Sequence, residues 1–234
     1  MKQIETEVLG DPEQLAERAA HWLADLARAS RDRFVVALSG GSTPRRMYQI
    51  LSALDLPWTR IHWFWGDERF VPPDDARSNY RMAHEALFQL APVPIANIHP
   101  VPTRGLEPDA AATAYEAELK RFYGQDGLDS ARPLFDVTLL GLGPDGHTAS
   151  LFPGTAVLGE RHKWVAAVIG AKDEARITFT YPLLESSRQI AFLVAGAEKR
   201  RMLGLLLGGD TDIPAGRLSK EHVRVFADNA ATGR

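Results

Sequence analysis

Short apolar runs alternate with helix-patterned segments along almost the whole chain, and this alternation limits the possible folds more than any other feature. FVVALS (34–39), IHWFW (61–65), FDVTLLG (135–141), WVAAVI (164–169), RITFTY (176–181), IAFLVA (190–195) and VRVF (223–226) have strand length and are rich in branched and aromatic residues. Between them, Leu15, Ala19, Trp22, Leu23 and Leu26 recur at helical spacing after Asp11-Pro12, an N-cap followed by a proline at the first helical position. Thr43-Pro44 opens a second helix carrying Met47, Tyr48 and Leu51, and Ser78 is placed to cap a third through about Leu90. A fourth turns Tyr115, Leu119 and Phe122 inward with Glu116 and Lys120 paired outside, and a fifth covers about 197–207. The expected fold is α/β: a single Rossmann-like domain over 1–234, with a mostly parallel sheet flanked by helices. Residues 91–108 carry five prolines, yet Ile95, Ile98 and Val101 sit among them, so a packed connection is expected there.

Composition narrows the function classes. The net charge of −3 offers no basic field for nucleic acid or an anionic membrane. The absence of cysteine removes disulfides, thiolate metal sites and a cysteine nucleophile, and fits a cytoplasmic protein. The start, MKQIETEVLGDPEQLAERA, has no apolar core of signal-peptide type, and no later run approaches the roughly 18–20 residues of a membrane span. G-x-S-x-G and H-E-x-x-H are missing, which disfavours a serine nucleophile and a metallohydrolase, and the P-loop pattern is missing as well.

In parallel α/β sheets ligands lie beyond the carboxyl ends of the strands, so the loops after 39, 65, 141 and 195 carry the most weight. Ser39-Gly40-Gly41-Ser42-Thr43-Pro44 is a glycine turn into a helix whose free N–H groups face the loop, an anion site unless it is merely a turn capped by Thr43. Gly66-Asp67-Glu68-Arg69 puts two acids and an arginine at a strand end, more charge than a turn needs. Gly141-Leu142-Gly143-Pro144-Asp145-Gly146 matches the written form of a dinucleotide loop, but Pro153-Gly154 follows too soon for the required crossover helix. The glycines are better read as shaping a tight loop that presents Asp145 and His147, a histidine suited to act as general base on water. Arg176 and Lys199 each read as surface cations, although a lysine in a helix's first turn opposes the macrodipole.

Taken in order, ALSGGSTP, GDERFVPPDDARSNY, GLGPDGHTASLFPG and RITFTYPLL with GAEK resemble the 6-phosphogluconolactonase family over about residues 34–200. The resemblance implies the fold of the glucosamine-6-phosphate deaminase/isomerase type, no metal or organic cofactor, and hydrolysis of 6-phospho-D-glucono-1,5-lactone in the oxidative pentose phosphate pathway. It implies His147 as general base, with Asp67 and Asp145 orienting it or binding sugar hydroxyls. It also implies Gly40, Gly41, Ser42, Thr43, Arg69, Arg176 and Lys199 around the phosphate and the acyl end. The expected partner is thus a small sugar-phosphate lactone, with the chain a monomer or weak homodimer. Deaminases of the same superfamily read DGHIAFNEP, with an acid after the histidine where this chain has Phe152. That difference favours the lactonase over a deaminase/isomerase or a non-catalytic sugar-phosphate-binding module.

Overall fold

The computed structural model describes residues 3–218 and 221–234. In chain order the main elements are β1 (Gln3–Leu9), α1 (Pro12–Ala29), β2 (Phe34–Leu38), α2 (Ser42–Ser52), β3 (Ile61–Trp65), β4 (Asp67–Arg69), α3 (Asn79–Ala83) and α4 (Pro108–Tyr123). They continue with β5 (Phe135–Gly141), β6 (Val165–Val168), β7 (Arg176–Phe179), α5 (Tyr181–Glu185), β8 (Ser187–Val194), α6 (Arg200–Leu207), β9 (His222–Asp228) and α7 (Asn229–Thr232).

Local chemistry sets these boundaries. The Asp11 carboxylate accepts from the Gln14 N–H at 2.8 Å, Pro12 fills the first helical position, and Leu15, Ala19, Trp22 and Leu23 bury one stripe of α1. Ser78 caps α3, which continues as a wider turn through Phe88. Gly124, in the left-handed region, ends α4, while Lys120 and Glu116 pair at 2.8 Å on its surface. The FVVAL strand is buried throughout, as its unbroken apolar run requires of a strand covered on both faces.

Six strands form one wholly parallel sheet in the order β1-β9-β8-β5-β2-β3. From β2 the chain proceeds to β3 on one side, and from β5 to β8 and β9 on the other. The loops after β2 and β5 therefore part at the middle of the sheet, where open α/β sheets take ligands. Nearly all of the buried apolar residues, including the expected Trp63, Phe64 and Trp65, join in one cluster. Among the described residues no helix is long and apolar enough to cross a membrane.

Three expectations need correction. WVAAVI and RITFTY do not extend the parallel sheet: they form β6 and β7 of a separate three-stranded antiparallel sheet, order β4-β7-β6. The connection 169–175 is too short for a parallel crossover, which needs a dozen residues or more, so a hairpin is the available solution. Gln3–Leu9 is a strand that the apolar pattern did not reveal, because its Glu5-Thr6-Glu7 centre lies at a sheet edge. In the proline-rich connection Val101 is buried and the His99 N–H donates to the Trp63 carbonyl at 2.9 Å, but Ile95 is 80% exposed. Gly66 joins the two sheets, its N–H donating to the Leu38 carbonyl and its carbonyl accepting from the Phe179 N–H.

Candidate active site

The loop after β5 is built around one histidine. His147 Nδ1 is hydrogen-bonded to Asp145 Oδ1, which also accepts from the His147 N–H at 3.2 Å. If Nδ1 carries the proton, Nε2 is left as the acceptor. A Cβ on Gly143 would stand 2.0 Å from His147 Nδ1, so any side chain there would expel the ring. Gly146 has φ +80°, and a Cβ on it would strike the Ile213 side chain at 2.7 Å. The loop is closed by the Gly143 N–H donating to the His147 carbonyl and braced by the Ala215 N–H donating to the Gly146 carbonyl. Phe152 packs on the imidazole with ring centroids 4.6 Å apart. Ala149, at φ +46°, is the one non-glycine residue in the left-handed region among the described residues, and that strain lies in the wall of the cleft. Burial disfavours the charge of Asp145, but its hydrogen bond and attraction to His147 outweigh this and hold the carboxyl below its ordinary range.

The loop after β2 presents backbone donors. The Tyr48 hydroxyl accepts from the Ser39 N–H at 3.0 Å and donates to the Ser39 carbonyl at 2.8 Å, which pins the loop's start. Gly41, at φ +115°, precedes α2, and no side chain caps the helix; the expected capping by Thr43 does not occur, because Thr43 already lies inside it. Pro44 has no N–H, so the free donors of the first turn come from the residues around Ser42 and Thr43. Gly40 lies so close to Asn79 that a Cβ would reach its Oδ1 at 2.1 Å.

The loop after β3 divides its charges. Asp67 does not contact His147 through any hydrogen bond of the structure; its Oδ2 accepts from Ser150 Oγ at 2.7 Å. Glu68 points into the core and is buried, which corrects its reading as a functional acid. Its Oε1 accepts from the Arg69 and Asn79 N–H groups at 2.7 Å, and its Oε2 from the Tyr80 N–H at 2.7 Å and Ser78 Oγ at 3.1 Å. Burial nevertheless pushes its pKa up to about 7 against those donors. Arg69 donates from Nη1 to the Arg77 carbonyl at 2.6 Å.

Antiparallel pairing sets Arg69 directly opposite Arg176. Like charges in that position repel, so the pair makes sense as a receptor for an anion. Arg176 Nη2 meets Glu174 Oε1 at 2.9 Å, and its buried Nε has no hydrogen-bond partner. Burial first, and then Arg69, push the Arg176 pKa down.

A cleft of about 470 Å³ gathers these parts at the switch between β2 and β5. His147, Asp67, Gly40, Gly41, Ser42, Thr43, Arg69, Arg176 and Lys199 all line it, while Asp145 supports His147 from outside the lining. Sequence reasoning missed Ser39, Asn79, Ser150, Lys172 and Glu198, which also line it. Asn79 and Ser150 lay within motifs already singled out. Ser39, whose buried Oγ has no partner, opened the glycine turn already singled out, but as the last residue of a strand pattern it was given no role of its own. Among the described residues, no three His, Asp or Glu side chains gather as a metal site would require.

The model of one family, glucosamine-6-phosphate isomerases/6-phosphogluconolactonase, matches residues 10–227. A 6-phosphogluconolactonase from Synechocystis sp. is 46% identical over 187 residues, which is 80% of this chain and 76% of that protein. The crystal structure of the 6-phosphogluconolactonase from Thermotoga maritima superposes with a TM-score of 0.83 at 32% identity, over 97% of this chain and 99% of that one. A monomeric glucosamine-6-phosphate deaminase shares the fold with a TM-score of 0.83 at 24% identity, over 98% and 99% of the two chains.

Proposed function

The chain belongs to the glucosamine-6-phosphate isomerase/6-phosphogluconolactonase family, and from that premise we propose that it hydrolyses 6-phospho-D-glucono-1,5-lactone to 6-phosphogluconate. The observation that carries this reading is the His147–Asp145 pair opening onto the same cleft as the opposed Arg69 and Arg176. A lactone is an activated ester, so a held water, a base and charge stabilisation suffice without a covalent nucleophile.

In this reading Nε2 of His147 takes a proton from water as its oxygen attacks C1. Asp145 keeps the imidazole oriented and supports the imidazolium that forms. The tetrahedral intermediate collapses with cleavage of the bond from C1 to the ring oxygen, and that oxygen takes the proton back from His147. Arg69 and Arg176 suit a dianionic phosphate, as do the uncapped start of α2 at Ser42 and Thr43 and the Lys199 ammonium. The phosphate is remote from C1 and can supply the binding energy that places it. Asp67, held by Ser150, is positioned for a sugar hydroxyl rather than for His147. The single apolar cluster supports one domain.

The deaminase alternative is weaker because the group packed on the imidazole is the apolar ring of Phe152. The test is turnover of lactone generated in place from glucose 6-phosphate by its dehydrogenase, with spontaneous hydrolysis subtracted and glucosamine 6-phosphate assayed in parallel. Lactone turnover without ammonia release is expected. Ammonia release without lactone turnover would establish the deaminase instead, and binding without either reaction would leave a sensor.

A further inference from the structure

One cation of the cleft has no place in the reading above. Lys172 lies in the connection 169–175 between β6 and β7, on the exposed tip of the hairpin. Its Nζ stands 5.0 Å from the centroid of the Phe152 ring, and the same ring lies 4.6 Å from the imidazole of His147. Lys172 is thus one aromatic ring away from the proposed base and lines the cleft with it.

Its electrostatic situation differs from that of the two arginines. Arg176 is partly neutralised by Glu174 at 2.9 Å, and Arg69 is tethered to the Arg77 carbonyl. Lys172 makes no ion pair among the described residues, and its contact with Phe152 leaves the ammonium charge uncompensated. The proposed reaction has two anionic ends. The phosphate is charged throughout, whereas the C1 oxygen becomes negative only as water adds and is a carboxylate in the product. C1 must come within one water of His147 Nε2 for that histidine to act as base. A cation that shares the Phe152 ring with that imidazole is placed to meet the charge developing at C1, and stabilising developing charge speeds the chemical step.

We propose that Lys172 is a catalytic residue that contacts the acyl end of the substrate, holding the C1 oxygen as it becomes an oxyanion and then the product carboxylate. In the step itself the water oxygen bonds to C1 as His147 removes the proton, and the carbonyl electron pair moves onto the oxygen beside the Lys172 ammonium. When the bond from C1 to the ring oxygen breaks, that pair returns, the ring oxygen receives the proton from His147, and the new acid ionises to solvent.

This inference rests on the lactonase reading, and the experiment separates the two. Wild type, Lys172→Met and Lys172→Arg are compared for kcat and KM on the lactone. Calorimetry then measures the binding of 6-phosphogluconate, which carries the carboxylate, and of glucose 6-phosphate, which has the same phosphate without it. Lys172→Met is expected to lower kcat about 10–100-fold and to weaken 6-phosphogluconate by a similar factor, the scale of one lost hydrogen bond to a charged group. Glucose 6-phosphate should bind all three proteins equally, which also shows that the variants are folded, and Lys172→Arg should recover part of the loss. Equal weakening of both ligands would place Lys172 at the phosphate and overturn the proposal. A Lys172→Met enzyme with wild-type kcat and wild-type affinities would overturn it as well. Absence of lactone turnover in the wild type would remove the lactonase reading itself.

Discussion

The two sheets that meet at Gly66 contribute different things to the cleft. The parallel sheet ends there in loops that offer backbone donors at Ser42 and Thr43 and the imidazole of His147, carried on strands whose side chains are mostly buried and apolar. The antiparallel sheet offers side-chain charge: Asp67 and Arg69 on β4, Arg176 on β7 and Lys172 on the hairpin beyond. A large core can hold a short, glycine-shaped loop rigidly, which is what a base within hydrogen-bond reach of a water requires. Opposed guanidinium groups make a poor core, and a small sheet at the rim suits them in the proposed reading, where a bound anion would offset their repulsion. In the proposed reading the base comes from the parallel sheet, and most of the side-chain charge that meets the substrate comes from the antiparallel one.

That division makes separable predictions. His147→Ala, on the parallel-sheet side, is expected to lower kcat by about 10²–10⁴-fold with little change in KM, as removal of a general base does. Steady-state kinetics on the lactone decide it, and a variant with near-normal kcat would move the base elsewhere. Arg176→Ala, on the antiparallel side, is expected to raise KM about 10–100-fold with a smaller effect on kcat, the scale of a lost charge-assisted contact. Loss of the opposed positive charge offsets part of the packing loss, so the ligand-free thermal midpoint should fall little while stabilisation by glucose 6-phosphate disappears. A fall in kcat at unchanged KM would break the division between the sheets.

The same contrast explains what was legible in the sequence. FVVALS, IHWFW, FDVTLLG and IAFLVA revealed the parallel sheet because strands covered on both faces must be continuously apolar. His147 and the SGGST turn were legible because glycines at a strand end have few bland explanations. The crowding a Cβ would meet at Gly143 and Gly146 indicates that they make room for the histidine and for Ile213 rather than for a nucleotide. The antiparallel sheet was hidden because β4 is only Asp67–Arg69, three charged residues with no strand-like pattern. Where binding groups occupy the strand itself, the periodicity that identifies a strand is lost. Glu68 was misread for a related reason: charge at a strand end suggests function, and only coordinates reveal that its four donors lie in the α3 start and β4. Lys172 had no local signal, since only the folding of the hairpin brings it to Phe152.

Glu68 ties the antiparallel sheet to α3, so it tests whether that sheet is fixed in place from behind. Glu68→Gln replaces one accepting oxygen by an amide that cannot take an N–H donor, and is expected to cost about 1–3 kcal/mol of stability at pH 7. Urea unfolding measures it, and an unchanged midpoint would mean that the small sheet does not depend on this anchor.

The pH dependence of that difference sharpens the same test. The carboxyl is raised to about 7 in the folded chain from an ordinary value of 4.5. Below about 4.5 both states hold the proton, and above about 7 neither does. Between these limits the folded state binds more protons than the unfolded one, so stability falls as pH rises through the window, by at most about 3 kcal/mol. The glutamine variant lacks this titration but keeps every other ionisable group. The stability gap between wild type and Glu68→Gln should therefore be widest near pH 5, narrow through pH 6 and 7, and level off by pH 8. Unfolding curves at those four values decide it. A gap that stays flat or widens with pH would mean that the three amide donors and Ser78 hold the carboxylate ionised throughout, so that the anchor is an anion matched to its donors rather than a burial-neutralised acid.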